Sequence, residues 1–178
     1  MHNIGNDIVD LNFAQTESNW QRKGFLEKQF THKEQDEILN SERPFLKVWL
    51  FWSMKEAAYK CYTQRVEKRF FAPLKFECSL FSKEEGLVIY EDTKFYTTTV
   101  CNTFYIHTIA ALIKEEQTFF SGVVSSKTIQ VALKTKLAAA TGVLSKEIEK
   151  RKTSIGAPLF YHQQKLLTKS CSISHHGN

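Results

Sequence analysis

Residues 52–60 read Trp52-Ser53-Met54-Lys55-Glu56-Ala57-Ala58-Tyr59-Lys60. They lie inside a longer helical pattern. Ser41 and Pro44 start it, with Pro close to the first turn, where its fixed φ suits a helix. Apolar residues then recur through Phe45, Val48, Trp49, Phe51, Trp52, Ala57 and Tyr59 to about Tyr62. Trp52, Glu56 and Lys60 follow at i, i+4 and i+8 and project from one side. A Glu with a Lys one turn later is ordinarily a surface ion pair worth about 0.3–0.5 kcal/mol. Here the flanking residues are strongly apolar, which puts the pair at the edge of a core. A carboxylate there can hold a hard cation, and an ammonium one turn away can hold phosphate. Spacing alone favours the structural pair over the site.

Working outward, Asn3-Ile4-Gly5-Asn6-Asp7-Ile8-Val9-Asp10-Leu11 reads as a short strand running into a turn. Gly5 permits close backbone approach, and a carboxylate at Asp7 is well placed for magnesium, which takes one or two protein carboxylates and keeps several waters. Asp7 with Glu56 meets that need. Asp10 lies off the alternation of Asp7 and is expected to cap or turn the chain. Thr31 with Glu34 fits a capping box for a helix running to about Asn40. The period then changes. Leu74 to Phe81, Gly86 to Tyr90, Lys94 to Cys101 and Phe104 to Ile113 are β-branched and aromatic runs, with turns at Glu91-Asp92 and Asn102, and they predict about four antiparallel strands. Ser125 or Ser126 can cap a helix carrying Ile129, Leu133 and Leu137, ended by Gly142. Glu147-Ile148-Glu149, Pro158 to Tyr161 and Ser170 to Ser174 are short-strand candidates. The class is α+β, an antiparallel sheet packed with a long helix.

The chain has 178 residues, 42% hydrophobic and 24% charged, enough for a real core and against wholesale disorder. No apolar run approaches a bilayer span, and the amino terminus lacks a charged-then-apolar leader. A soluble, cytoplasmic protein with no membrane partner is expected. The net charge of +5 is uneven. Residues 1–120 carry 15 Lys and Arg against 17 Asp and Glu, whereas residues 121–178 carry 9 against 2. That bias admits a local anion site or a solvated basic face. Cys61, Cys78, Cys101 and Cys171 have no metal-finger spacing and are expected to be reduced and mostly buried. No Walker loop, GxGxxG or GxSxG occurs, and no nucleic-acid motif supports a nucleic-acid partner. The tail reads Ser172-Ile173-Ser174-His175-His176-Gly177-Asn178. Adjacent residues in a strand point to opposite faces, so one His faces a site rather than both. Ser174 and His175 could donate to a phosphate, supported by Lys150-Arg151-Lys152.

Three segments together resemble the 4′-phosphopantetheinyl transferase superfamily. Gly5-Asn6-Asp7-Ile8-Val9-Asp10 resembles its G-x-D-I-V-[ED] strand, Trp52 to Lys60 its W-x-x-K-E-A-x-x-K helix at every fixed position, and Ser172-Ile173-Ser174-His175 its S-[IL]-S-H strand. The order, with the histidine motif last, is that of the holo-acyl-carrier-protein-synthase branch. The resemblance implies Mg²⁺-dependent transfer of the phosphopantetheine arm of coenzyme A to a serine of an acidic acyl or peptidyl carrier protein, as in fatty acid biosynthesis, releasing 3′,5′-ADP. It makes Asp7 and Glu56 magnesium ligands and Glu56 and Lys60 catalytic. Val9 stands where a sister branch has a further acidic residue, so water would fill that coordination place. Lys60, Lys55, Ser174, His175, Lys150, Arg151 and Lys152 would bind coenzyme A. A non-catalytic relative binding coenzyme A or a carrier protein is the alternative.

The chain departs from the short synthases in length, since about 110 residues separate Lys60 from the Ser-His motif. Lys136 to His175 resembles the front lobe of the surfactin-type enzymes, including G-K-P, here Gly156-Ala157-Pro158 with Ala157 in place of Lys. The expectation is a two-lobed pseudo-dimer, residues 1–120 with the metal and KEA helix motifs and residues 121–178 basic with the Ser-His motif, the family's final strand missing. It would act as a monomer with two lobes or as a small homo-oligomer.

Overall fold

The computed structural model describes residues 3–70, 72–114 and 119–176; Gly177 and Asn178 of the tail motif lie outside them. The chain opens on β1 (Ile4–Asp10) and turns into α1 (Leu11–Glu17). Asp10 caps that helix, its carboxylate accepting from the Phe13 N–H at 2.9 Å. After α2 (Phe25–Gln29), the expected capping box opens α3 (His32–Leu39). Thr31 Oγ1 accepts from the Glu34 N–H, and the Glu34 carboxylate accepts from the Thr31 N–H. Pro44 begins α4 (Pro44–Val66), one turn longer than its apolar pattern suggested, and Glu67 ends it in the left-handed region at φ 52°.

Four antiparallel strands follow as read: β2 (Glu77–Leu80), β3 (Glu85–Tyr90), β4 (Thr93–Cys101) and β5 (Tyr105–Ala111). Pro73–Lys75 forms a 3₁₀ turn, because Pro supplies no N–H for pairing, and so β2 starts later than Leu74. The strands order β1-β5-β4-β3-β2, with β1 at an edge. Alternation along β1 turns Gly5, Asp7 and Val9 inward against α4, and those residues are buried.

The second part holds α5 (Ile129–Thr141), ended by Gly142 at φ 74°, and a separate three-stranded sheet of β6 (Ile148–Lys152), β7 (Pro158–His162) and β8 (Lys165–Leu166). α5 begins with Thr128 and no side-chain cap, so Ser125 and Ser126 do not cap it as expected. It has its own small core of Leu137, Ile148, Phe160 and Cys171, apart from the large aromatic core around α4. Cys61, Cys78 and Cys171 are buried free thiols, while Cys101 is exposed.

Two constraints lock α4 in place. A Cβ on Gly5 would collide with the Ala57 carbonyl oxygen and stand 2.5 Å from the Cys61 nitrogen, both backbone atoms that cannot swing aside. On the opposite side, Lys55 is buried with its ammonium 2.7 Å from the Glu34 carboxylate and 2.9 Å from the Pro73 carbonyl. Glu34, 0% exposed, also accepts from the Cys78 N–H at 2.7 Å. We expect Gly5→Ala to abolish cooperative unfolding in a urea titration. Lys55→Met, which leaves the Glu34 charge buried alone, should cost about 3–5 kcal/mol in the same measurement; a loss below about 1 kcal/mol would contradict the pairing.

Candidate active site

β1 and α4 meet where Gly5 admits the helix, so Asp7, two residues along the same face, comes opposite Lys60. The Lys60 ammonium stands 2.7 Å from Asp7 Oδ1, with side chains 28% and 11% exposed. Burial pushes the Asp7 carboxyl above its ordinary range, against the opposing pull of the Lys60 ammonium, the nearby His176 and the Ile8 N–H. Glu56, one turn before Lys60, is also raised, first by burial and then by the negative charge of Asp7, with Lys60 opposing. Two carboxylates thus share one ammonium in a half-buried setting. The surplus negative charge suits a divalent cation, and two carboxylates with open positions suit magnesium, which keeps waters and takes phosphate oxygens. Among the described residues no group of three or more His, Cys, Asp or Glu forms a closed cage. Val9 is buried in the core at 1% exposure and cannot ligate.

The tail does not form the expected strand at Ser170 to Ser174. It runs extended beside the free edge of β1 and bonds to it through side chains. Ser170 Oγ accepts from the Ile4 N–H, Ser172 Oγ from the Asn6 N–H, and His176 Nδ1 from the Asp10 N–H, each at 3.0 Å and each at a sequence offset of 166. Among the described residues no such bond joins Ile8 to Ser174. Ser174 Oγ instead accepts from the Asn6 side-chain amide at 2.9 Å. Hydroxyls replace carbonyls along this edge, so no backbone ladder exists to define a strand.

The same alternation separates the two histidines. His176 faces inward, edge-on to Phe13 with ring centroids 5.2 Å apart and 6.5 Å from Trp49. His175, the one expected to bind coenzyme A, is exposed. Lys55 is likewise not brought to the site, since its ammonium is consumed by Glu34 beneath α4. On β6, Arg151 points away with Glu149, its guanidinium 2.9 Å from that carboxylate and 4.5 Å over the Tyr161 ring. Lys150 and Lys152 take the opposite face, where the Lys150 charge reaches Cys171. Cys171 lines a cleft of about 230 Å³ between the two parts, with Lys60, Gln64, Arg69, Gly156 and Ser172. Arg69 and His176 were not singled out from the sequence. Period-two reading of Ser170, Ser172, Ser174 and His176 carries the signal for His176, whereas nothing local marks Arg69.

The family model of the 4′-phosphopantetheinyl transferase superfamily matches residues 3–113, which span β1, α4 and the five-stranded sheet. The chain belongs to this superfamily. Its α+β fold, a long helix packed on an antiparallel sheet, is the fold expected of a phosphopantetheinyl transferase. Among solved structures, the chain is similar to the holo-[acyl-carrier-protein] synthase of Thermotoga maritima, at 13% identity and a TM-score of 0.49, over 91% of this chain and 84% of that one. It is also similar to the corresponding synthase of Neisseria meningitidis, at 13% identity and a TM-score of 0.48, over 63% of this chain and 98% of that one. No curated protein sequence matches it. In this transferase, no helix among the described residues is long and apolar enough to cross a membrane.

A carboxyl whose proton affinity is higher folded than unfolded lets the folded state bind the extra proton, so its contribution favours folding at low pH and is lost as pH rises through the folded value. For Glu56 this means the charge opposes folding near neutral pH when no divalent cation is present. Glu56→Gln should therefore raise the Tm of chelator-treated protein at pH 8, and the gain should vanish at pH 4. Thermal melts at the two pH values check this; an equal shift at both would contradict it.

Proposed function

We propose that this transferase moves the 4′-phosphopantetheine arm from coenzyme A to a serine hydroxyl of an acidic acyl or peptidyl carrier protein, with Mg²⁺ as cofactor. The observation that carries the reading is the convergence of Asp7, Glu56 and Lys60 where β1 meets α4, beside the cleft of about 230 Å³ lined by Lys60, Arg69 and Ser172. Asp7 and Glu56 would hold magnesium, which when bound neutralises the diphosphate of coenzyme A. Lys60 donates to a phosphate oxygen of the same group. The raised proton affinity of Glu56 suits it to accept the serine proton as the serine oxygen attacks the β-phosphorus. The bond from that phosphorus to the bridging oxygen breaks, and 3′,5′-ADP departs with the electron pair. Positioning and charge neutralisation, rather than a covalent enzyme intermediate, supply the catalysis.

The basic balance of residues 121–178 fits the steering of an acidic carrier protein. We read residues 1–120 and 121–178 as two pseudo-symmetric lobes. In support, each part contains a helix followed by an antiparallel meander, α4 before β2 to β5 and α5 before β6 to β8. The chain would work in the cytoplasm, as a two-lobed monomer or a small homo-oligomer.

Mass spectrometry of an apo-carrier protein incubated with coenzyme A and Mg²⁺ tests the reaction. The carrier should gain the mass of the phosphopantetheine arm. No gain on fatty-acid or peptide-synthetase carriers, with coenzyme A still bound, would overturn it in favour of a non-catalytic binding relative. Glu56→Gln should lower the transfer rate by about 10²–10⁴-fold, the range of a lost general base, with the fold intact by circular dichroism.

A further inference from the structure

The face of β1 that turns away from α4 lines a second cavity. Asn6 and Ile8 point to that side, and between them, His107 of β5, the tail and α5 lies a space of about 160 Å³. Its walls are largely aliphatic. α5 presents Ile129 and Leu133 to it, while Leu137, one turn further, is spent on the small core. Phe120, Val123 and Val124 form the rim and stay 43%, 40% and 46% exposed, apolar surface that an occupant would cover. Asp7, Glu56 and Lys60 do not line this space, so it is separate from the candidate active site.

One end of the cavity is polar. His107 is 6% exposed, and burial pulls its pKa below the ordinary range, which keeps the ring neutral. The Asn6 amide spends both of its hydrogens there, Nδ2 donating to Ser174 Oγ at 2.9 Å and to His107 Nε2 at 3.4 Å. Its oxygen, Oδ1, is left buried with no hydrogen-bond partner among the described residues. A buried acceptor without a partner has lost its bonds to water and gained nothing in exchange. A donor entering from the cavity would complete it.

Charge decides which donor. Lys136 lines the cavity from α5 and is exposed, which puts its ammonium at the mouth, and no Asp or Glu is among the lining residues. An ammonium or guanidinium would enter beside a like charge and lose its hydration with no counter-charge to meet. A hydroxyl supplies the donor without that cost. The volume sets the size, since an aliphatic cavity of about 150 Å³ takes one benzene ring. We propose that this cavity binds a small uncharged molecule with an apolar body about the size of a benzene ring and one hydroxyl. The hydroxyl donates to Asn6 Oδ1 while the body packs on Ile8, Ile129 and Leu133. The site does not depend on the transfer reading.

Phenol and toluene, similar in shape but with and without the hydroxyl, test it by NMR shift titration of the full chain. Phenol should bind the wild type at least as tightly as toluene, although its hydroxyl is costlier to dehydrate. Asn6→Leu keeps the volume and removes the acceptor; it should lower the phenol-to-toluene affinity ratio at least about fivefold, the scale of leaving a buried group unpaired. Leu133→Trp fills the cavity from α5 without touching β1 and should weaken both probes at least about tenfold. Binding of neither probe, toluene bound more tightly than phenol by the wild type, or a ratio unchanged in Asn6→Leu overturns the proposal. So does phenol binding unchanged in Leu133→Trp, which places the probe elsewhere, or benzoate bound more tightly than phenol, which makes Lys136 the centre of an anion site. If Asn6→Leu does not fold, the wild-type comparison decides the chemistry and Leu133→Trp the place.

Discussion

The close contact of β1 with α4 at Gly5 sets the geometry of everything around it. With hydrogen in place of a side chain, the strand backbone rests on the helix at Ala57 and Cys61. That contact fixes both the height and the rotation of α4 against the strand. Asp7 then meets Lys60, and Glu56 stands one turn away, close enough for the Asp7 charge to raise the cost of ionising Glu56. A larger residue at position 5 would move the helix outward and separate groups that act only within a few ångströms of one another. A second lock, the buried Glu34–Lys55 pair, holds the helix from behind. Its carboxylate is also bonded to the Thr31 and Cys78 N–H groups, so α3, α4 and β2 share one polar anchor inside an aromatic core. A buried ion pair gives little net stability but strongly disfavours other packings, because any of them leaves a charge unpaired.

The residues of the site are held at some expense to the fold. Asp7 and Glu56 are both partly removed from water and share a single ammonium, an arrangement that a stability-driven design would avoid. The tail shows a related compromise. It covers the edge of β1, which would otherwise expose unpaired N–H groups, but does so with serine hydroxyls and one imidazole rather than a backbone ladder. Side-chain bonds fix the register two residues at a time, at Ile4, Asn6 and Asp10. The last described residues are thereby tied to the strand that carries Asp7, and His176 is brought within electrostatic reach of it.

Much of this was legible in the residues. The capping box at Thr31 and Glu34, the proline start of α4, the change of period after residue 74 and the glycine stop at 142 rest on local chemistry, and each appears where that chemistry puts it. The short helices α1 and α2 were not read, because segments of seven and five residues give too few turns for a periodic stripe. The tail was read as a strand because its alternation is that of a strand. Its partners are side-chain oxygens, which periodicity does not distinguish from carbonyls.

The sequence alone determined the α+β class, the helix that carries Glu56 and Lys60, and the acidic strand position at Asp7, since these depend on residue type and spacing within one element. Tertiary structure decided which of these groups meet. Lys55 and Lys60 are both lysines of one motif on one helix, yet one is buried against Glu34 and the other faces Asp7, because the two sides of α4 pack on different neighbours. His176 rather than His175 turns inward because the register of the tail on β1 places even-numbered residues there. Arg69 reaches the cleft only because a carbonyl 86 residues away is positioned to receive it. Contacts of that range are set by the packing of whole elements, and no local pattern encodes them.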